Sequence, residues 1–404
     1  MKLDILTPHT HTRRYCYWLA ALSALTLLPV LLLNLLLGRY ALDDAGKARA
    51  AFEWQRATHG YAYLPASGSD ALFKLLQLND RLPQVNGVIF GSSTAQPIAS
   101  EMFPQPIRLY NFALHGHGLQ SFIGEADYLL EHSQVNWLII PLDWSIGFLY
   151  QDGAPASANL SLGGASWNQQ GNNTAIAARI IDALSYPRIK SLFGILGEIA
   201  VASDKAGTFR QYFLQPASDE YLCPDGVPAK DFDTIRRGLC AGTRYDGSET
   251  FDNLDHVDNP QKLIAMALTG NSQYSINLAK TQGEPNPVYL QRLAGLARRT
   301  EKKGGGIILF MPPLLTGMEA EFLRHPQQSR ALLHTKDVLR NWASRENIVI
   351  FDAGQAERFN CPANEFTDQH HAIMRCYARV WKHFWSSIAH AENGRVILPH
   401  GGMY

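Results

Sequence analysis

The chain carries no excess charge. Its 404 residues include 36 Lys and Arg against 36 Asp and Glu, a net charge of zero. A surface so balanced does not steer the protein toward nucleic acid, and no recognition motif for it is present. A Gly-rich phosphate loop and an internal repeat are both missing, so the sequence offers neither a nucleotide cradle nor a solenoid. Cysteine is sparse, with five residues in all. The length is ample for a large buried core, in one big domain or two ordinary ones.

Charge is absent altogether from Tyr15 to Leu37, 23 positions in a row. At about 1.5 Å rise per residue this run can cross a hydrocarbon core roughly 30 Å thick. Lys2, Arg13 and Arg14 precede it, while Arg39 is offset by Asp43 and Asp44. The positive-inside rule then puts 1–14 in the cytoplasm and the rest outside it. A cleaved signal peptide competes, since "ARAAF" at 49–53 has the small-residue spacing of a cleavage site. The apolar run is too long for that and the site too far downstream, so an uncleaved anchor over 15–38 is expected.

Cysteine usage agrees with such a topology. Cys16 sits at the membrane edge, and the other four form two local couples, Cys223 with Cys240 and Cys361 with Cys376. In a domain outside the cytoplasm an even number suggests disulfides, with four buried thiols as the alternative.

A polar, helix-prone stretch from Asp43 to Ala57 reads as a stalk, and a short helix is expected from Asp70 to Leu78 with Ser69 as cap. Short apolar runs then follow at 87–90, 107–112, 136–140, 306–311 and 347–351, the length of buried parallel strands. Helical patterns separate most of them: Leu119 to Glu131, a run from Pro287 capped by Asn286, and Ser329 to Arg345. This alternation predicts an α/β fold, a doubly wound parallel sheet flanked by helices, with active residues at the carboxyl ends of the strands. The sheet domain is expected in two parts, 86–150 and 286–404, after a lead-in over 39–85. Between them, 151–285 reads as an insertion, either a lid or acceptor-binding element over the catalytic edge or a surface elaboration.

Three pieces carry possible chemistry. Gly91-Ser92-Ser93 follows the first strand. Asn111-x-Ala113-x-x-Gly116 follows the second, where a glycine can bring its N–H close to a substrate oxygen. Asp368-x-x-His371 follows the last, spaced so that both side chains share one turn of an apparent helix. That spacing suits a carboxylate that holds one imidazole nitrogen while the other faces a nucleophile. Read alone, each piece is equally a polar turn, a glycine turn or a helix cap. His115 and His117 form an H-x-H pair with no matching ligand cluster, so no metal is expected.

In this order the pieces resemble the SGNH (GDSL-like) hydrolase superfamily. The resemblance implies Ser93 as nucleophile, Gly116 as an oxyanion glycine, Asp368 as orienting acid and His371 as base. His370 has the wrong spacing from Asp368 and stands aside. Asn111 joins the oxyanion or substrate-binding group. The superfamily's third block falls on Pro141 to Trp144, where Asp143 stands in place of the oxyanion asparagine. An ionised carboxylate cannot donate a hydrogen bond, so the hole would rest on the N–H groups of Ser93 and Gly116.

The membrane-anchored members with Gly-Ser-Ser are the most similar. They include the D-alanyl transfer protein and the alginate O-acetyltransferase-like proteins. They imply a single-pass protein of the bacterial inner membrane with its catalytic domain in the periplasm or its extracytoplasmic equivalent. The implied reaction is acyl transfer, through an acyl-serine and without a cofactor, onto an exopolysaccharide or wall glycopolymer. A membrane-bound O-acyltransferase partner would deliver the acyl group. A carbohydrate esterase or lipase of the same fold, and a non-catalytic polymer-binding subunit, are the alternatives.

Overall fold

The computed structural model describes residues 8–42, 51–53, 55–57, 59, 61–62, 70–115, 118–143, 148–149, 186–213, 222–223, 242–249, 257–268, 281–392 and 395–404. They belong to two compact units, Met1–Lys47 with Asn168–Glu220, and Ala48–Trp167 with Tyr221–Tyr404.

In the first unit, helix α1 (Pro8–Leu42) contains a 23-residue stretch, Thr12–Asn34, long and apolar enough to cross a membrane. The remaining helices follow in chain order. They are α2 (Asp70–Arg81), α3 (Leu119–His132), α4 (Tyr186–Val201), α5 (Lys205–Phe213), α6 (Pro260–Leu268), α7 (Pro287–Lys302), α8 (Met318–Arg324), α9 (Pro326–Glu346) and α10 (Met374–Ser387). Helices α4 and α5 pack on α1.

The second unit is built on a sheet of β1 (Gly87–Ile89), β2 (Leu109–Asn111), β3 (Trp137–Pro141), β4 (Gly306–Met311), β5 (Val349–Asp352) and β6 (Gly402–Met403). The spatial order is β6-β5-β4-β3-β1-β2 and every pairing is parallel. Strands β1, β2 and β3 are buried along their whole length. Burial on both faces is why they read as continuous apolar runs and not as alternation. The five expected strands are all present. The sixth, β6, was missed because it has only two residues; Tyr404 N–H bonds Ile350 O beside it.

Local chemistry accounts for the helix starts. Asn286 accepts from the Val288 N–H at 3.0 Å, and Pro287 at the first helical position needs no partner for a donor it lacks. On one flank of the sheet, α10 buries Tyr377, Val380, Trp381 and Phe384. Trp381 packs against Phe103, Phe310 and Phe351. That aromatic anchor fixes the helix that follows Asp368 and His371.

The chain runs from β1 outward to β2, then returns to the other side of β1 for β3. Loops leaving β1 and β3 therefore diverge, and their carboxyl ends border the crevice where open α/β sheets bind ligands. Ser93 follows β1 and Asp143 follows β3.

The stretch expected as one insertion divides between the units. Helices α4 and α5 go with α1, whereas residues 242–249 lie on the sheet unit. There the Asp246 carbonyl accepts from Asn111 N–H and the Glu249 N–H donates to Gln96 O, both at 2.8 Å. Gly247 makes the approach possible: its φ is +81°, and a Cβ there would stand 2.2 Å from Asn111 O.

Cys361 and Cys376 are joined by a disulfide across 15 positions. Cys223 lies in a two-residue strand paired with Tyr61–Ala62, and Cys240 lies outside the described residues. Closing the 361–376 loop is worth about 3 kcal/mol on the chain-entropy model. Cys361→Ala/Cys376→Ala should therefore lose about that much stability in denaturant unfolding of the full chain in detergent. An unchanged midpoint and slope would contradict this role for the bridge.

Candidate active site

Gly91 begins the turn that presents Ser93. Its φ is +142°, and a Cβ would meet Pro141 Cγ at 2.6 Å and Ala95 Cβ at 2.8 Å. Only glycine lets the chain leave β1 so close to β3. The next three residues carry hydroxyls. Thr94 Oγ1 donates to Asp143 Oδ2 at 2.6 Å, Ser92 Oγ approaches the same oxygen at 3.3 Å, and the Asp143 side chain has no solvent exposure. The carboxylate thus takes hydrogen bonds from the neighbours on each side of Ser93.

This changes the reading of Asp143. The resemblance puts it in the place of an oxyanion donor; in the structure it accepts from the turn that carries Ser93 and braces it. A fully buried acceptor shared by two hydroxyls fixes the turn, because breaking it would strand polar groups away from water. Tyr377, on α10, donates its hydroxyl to Thr94 O and ties the same turn to the C-terminal helix. Burial, and to a lesser extent Asp143, push the Tyr377 pKa well above the ordinary phenol range, so it stays a donor.

Asn111 is likewise a brace. Its Nδ2 donates to Ala95 O at 2.8 Å, Gln96 O at 3.1 Å and Ile98 O at 2.8 Å, and its Oδ1 accepts from Ala113 N–H at 2.9 Å. At 1 % exposure the side chain holds the segment after Ser93 onto β2 and is not turned to a ligand. The expectation of an oxyanion or substrate role is corrected accordingly. Gly116 and His117 lie outside the described residues. The loop approaching Gly116 is held by Lys74, fully buried, whose Nζ donates to Ala113 O at 2.5 Å and pairs with Glu249 at 2.9 Å. His115 is exposed.

Asp368 and His371 do not begin a helix, since α10 starts only at Met374. They lie in a tight loop closed by a Phe366–Ala372 bridge and by Thr367 N–H on His371 O at 3.0 Å. The physical reason is Asp368 itself. Its Oδ1 accepts from the N–H groups of His370 (2.8 Å) and His371 (2.9 Å), the local bonding by which aspartate favours a turn over a helix. Its other oxygen meets His371 Nδ1 at 2.6 Å. Burial opposes ionisation of Asp368. The His371 hydrogen bond, the charges of His370 and His371 and the His370 amide outweigh it, holding the carboxyl well below the usual range.

The two turns meet. Ser93 Oγ lies 2.7 Å from His371 Nε2, across 278 positions of sequence. Ser93 is 9 % exposed, so its hydroxyl stands at the edge of solvent. Chemically, a hydroxyl, an imidazole and a carboxylate in line can pass a proton from oxygen to Nε2 while Nδ1–H stays bonded to the acid.

His370 stacks beside His371, ring centroids 4.1 Å apart. Burial and the neighbouring imidazole charge lower its pKa against the opposing pull of Asp368 and Asp143. Asp368, His370 and His371 are also a described group whose ligand atoms lie within 4.8 Å. A cation there would have to displace the Asp368–His371 bond. The other such group, Cys361, Glu365 and Cys376, has its sulfurs in the disulfide.

Sequence reasoning missed Ser92, Thr94, Tyr377 and the Lys74–Glu249 pair. Thr94 carried a signal in standing next to Ser93. Tyr377 and Lys74 carried none, being separated from the turn by 283 positions and from Ala113 by 39. No protein-family model matches the chain, and no curated protein matches it.

The depressed pKa of Asp368 has a defined consequence. Its stabilising contribution is complete above the ordinary carboxylate value of about 3.9 and is lost as pH falls below that toward the depressed folded value. The stability gap between wild type and Asp368→Asn should therefore narrow steadily as pH falls from about 4 toward 2, read by chemical denaturation. A gap independent of pH would show that the charge is not what holds the loop.

Proposed function

We propose that the protein is a membrane-anchored serine O-acyltransferase of SGNH type. It moves an acyl group, acetyl in the first instance, onto a hydroxyl of an exopolysaccharide or wall glycopolymer outside the cytoplasm. The observation that carries the reading is the line Ser93 Oγ, His371 Nε2, His371 Nδ1, Asp368 Oδ2, with gaps of 2.7 and 2.6 Å. Further support comes from the parallel sheet and its switch point, from Gly91-Ser92-Ser93 after β1, and from an N-terminal helix long enough to anchor the chain.

A serine hydroxyl is a weak nucleophile until a base takes its proton. In the proposed cycle His371 Nε2 accepts the Ser93 proton as Oγ attacks the acyl carbonyl. The imidazolium is stabilised by Asp368 and returns the proton to the leaving group. The acyl-serine is then attacked by a sugar hydroxyl whose proton passes to His371; as the acyl–Oγ bond breaks, the imidazolium returns that proton to Ser93 and the acylated sugar leaves. The Ser93 amide and the Gly116 amide are the assigned oxyanion donors. Asp143, Asn111 and Tyr377 act through the nucleophile turn as positioning residues. A membrane-bound O-acyltransferase is the proposed source of the acyl group and the inner membrane the proposed location.

Hydrolysis is the second reading, and one observation favours it: the Asp368 side chain is 41 % exposed, which leaves the relay open to water. Incubation of the full chain in detergent with p-nitrophenyl acetate, with and without a sugar oligomer, separates the two by where acetate ends up. Ser93→Ala and His371→Ala should each lower acyl release about a thousandfold or more. Retention of wild-type rates by Ser93→Ala would overturn both enzymatic readings.

A further inference from the structure

Helix α1 is bare along most of its length and covered at one end. The side chains described from 12 to 29 are exposed, whereas Val30, Leu31 and Leu33 are half-buried and Asn34 is buried. Helices α4 and α5 pack on α1 within the same unit. On α4, Leu192 is buried, at 1 % exposure.

The opposite side of α4 is apolar or small. Phe193 is 62 % and Val201 85 % exposed. Gly194, Gly197 and Ala200 are exposed beside them, at the spacing of one helical face. Glu198 flanks this face and Lys190 stands at its N-terminal end. On α5, Phe209 is exposed as well. Segment 186–213 holds four basic residues (Arg188, Lys190, Lys205, Arg210) against two acidic ones (Glu198, Asp204), in a chain of zero net charge.

We infer that the α4–α5 hairpin seats in the lipid leaflet at the C-terminal end of the α1 span, as a second membrane contact. Its exposed apolar face and the bare surface of α1 belong to one compact unit, so one apolar medium can cover both. The depth agrees. Val30 to Asn34 lie three to seven residues before Leu37, where the apolar run ends, or about 5–10 Å below the interface at 1.5 Å per residue. That is the depth at which interfacial helices bury their apolar faces, and the basic excess suits anionic headgroups. The polar turn at Ser203–Asp204, where Asp204 Oδ1 accepts from the Gly207 N–H at 2.8 Å, stays at headgroup level. This inference rests on the membrane-anchor reading of α1 and not on the acyl chemistry.

The test places bimane on single cysteines of the full chain, with Cys16→Ser as background and that protein without an added cysteine as blank. The sites are Phe193→Cys and Val201→Cys on α4, Leu25→Cys on α1 and the exposed Asp337→Cys on α9. The protein is reconstituted in phosphatidylcholine–phosphatidylglycerol vesicles with or without bromine on the acyl chains, near the glycerol end for the α4 and α9 sites and near the methyl end for the mid-bilayer Leu25 site. Phe193 and Val201 sites should lose at least half their emission to bromine, and the Asp337 site none. If those two sites keep full emission while the Leu25 site is quenched, the hairpin is outside the lipid and the inference falls. If the Leu25 site is also unquenched, the anchor reading falls and takes the inference with it. Quenching in pure lipid that disappears in native membranes, with a crosslink from position 193 to another protein, assigns the face to a protein partner and overturns the lipid assignment.

Discussion

One hydrogen bond organises the sheet unit's chemistry, that between Ser93 and His371. It joins two turns that are individually weak structures, and a distance of 2.7 Å tolerates little slack in either. The rest of the local architecture reads as the means of removing that slack. Gly91 and Asp143 fix the first turn from below, Asn111 from the side, and Tyr377 from the opposite end of the chain. Asp368 folds the second turn around its own carboxylate, and the Cys361–Cys376 disulfide brackets it. If Ser93 and His371 react as proposed, a site so supported would hold them in place before substrate arrives, which is where much of an enzyme's rate advantage originates.

Asp143 illustrates how a charge changes meaning with its surroundings. In line with a family pattern it looks like damage, since a carboxylate near an oxyanion is repulsive. Buried and supplied with two hydroxyl donors, it is an anchor for the serine's neighbours. The same negative charge opposes the fall in the His370 pKa and adds to the rise in that of Tyr377. It therefore helps to keep the Tyr377 phenol neutral and hydrogen-bonding, while it favours the protonated form of His370.

Segment 151–285 serves two bodies. Residues 242–249 extend the sheet edge and stiffen the turns near Ser93 through Glu249 on Gln96 and Lys74 on Ala113. Helices α4 and α5 instead complete a small helical unit with α1. A composition rich in glycine, asparagine and serine conceals this division, because weakly periodic sequence does not say which surface will cover its few apolar side chains.

What the sequence determined by itself was local. The apolar runs at 87–90, 136–140 and 306–311 had to be strands buried on both faces, and Asn286-Pro287 had to begin a helix. The charge-free run from Tyr15 had to be an exceptional helix, and Cys361 and Cys376 were near enough in sequence to pair. Only the tertiary structure decided that Ser93 meets His371, that Asp368 makes a loop and not a helix start, that Asn111 and Asp143 face inward as braces, and that a two-residue strand completes the sheet. The reason is physical. Periodicity and capping act over a few residues, whereas the order of strands and the burial of a carboxylate follow from contacts made across nearly three hundred positions.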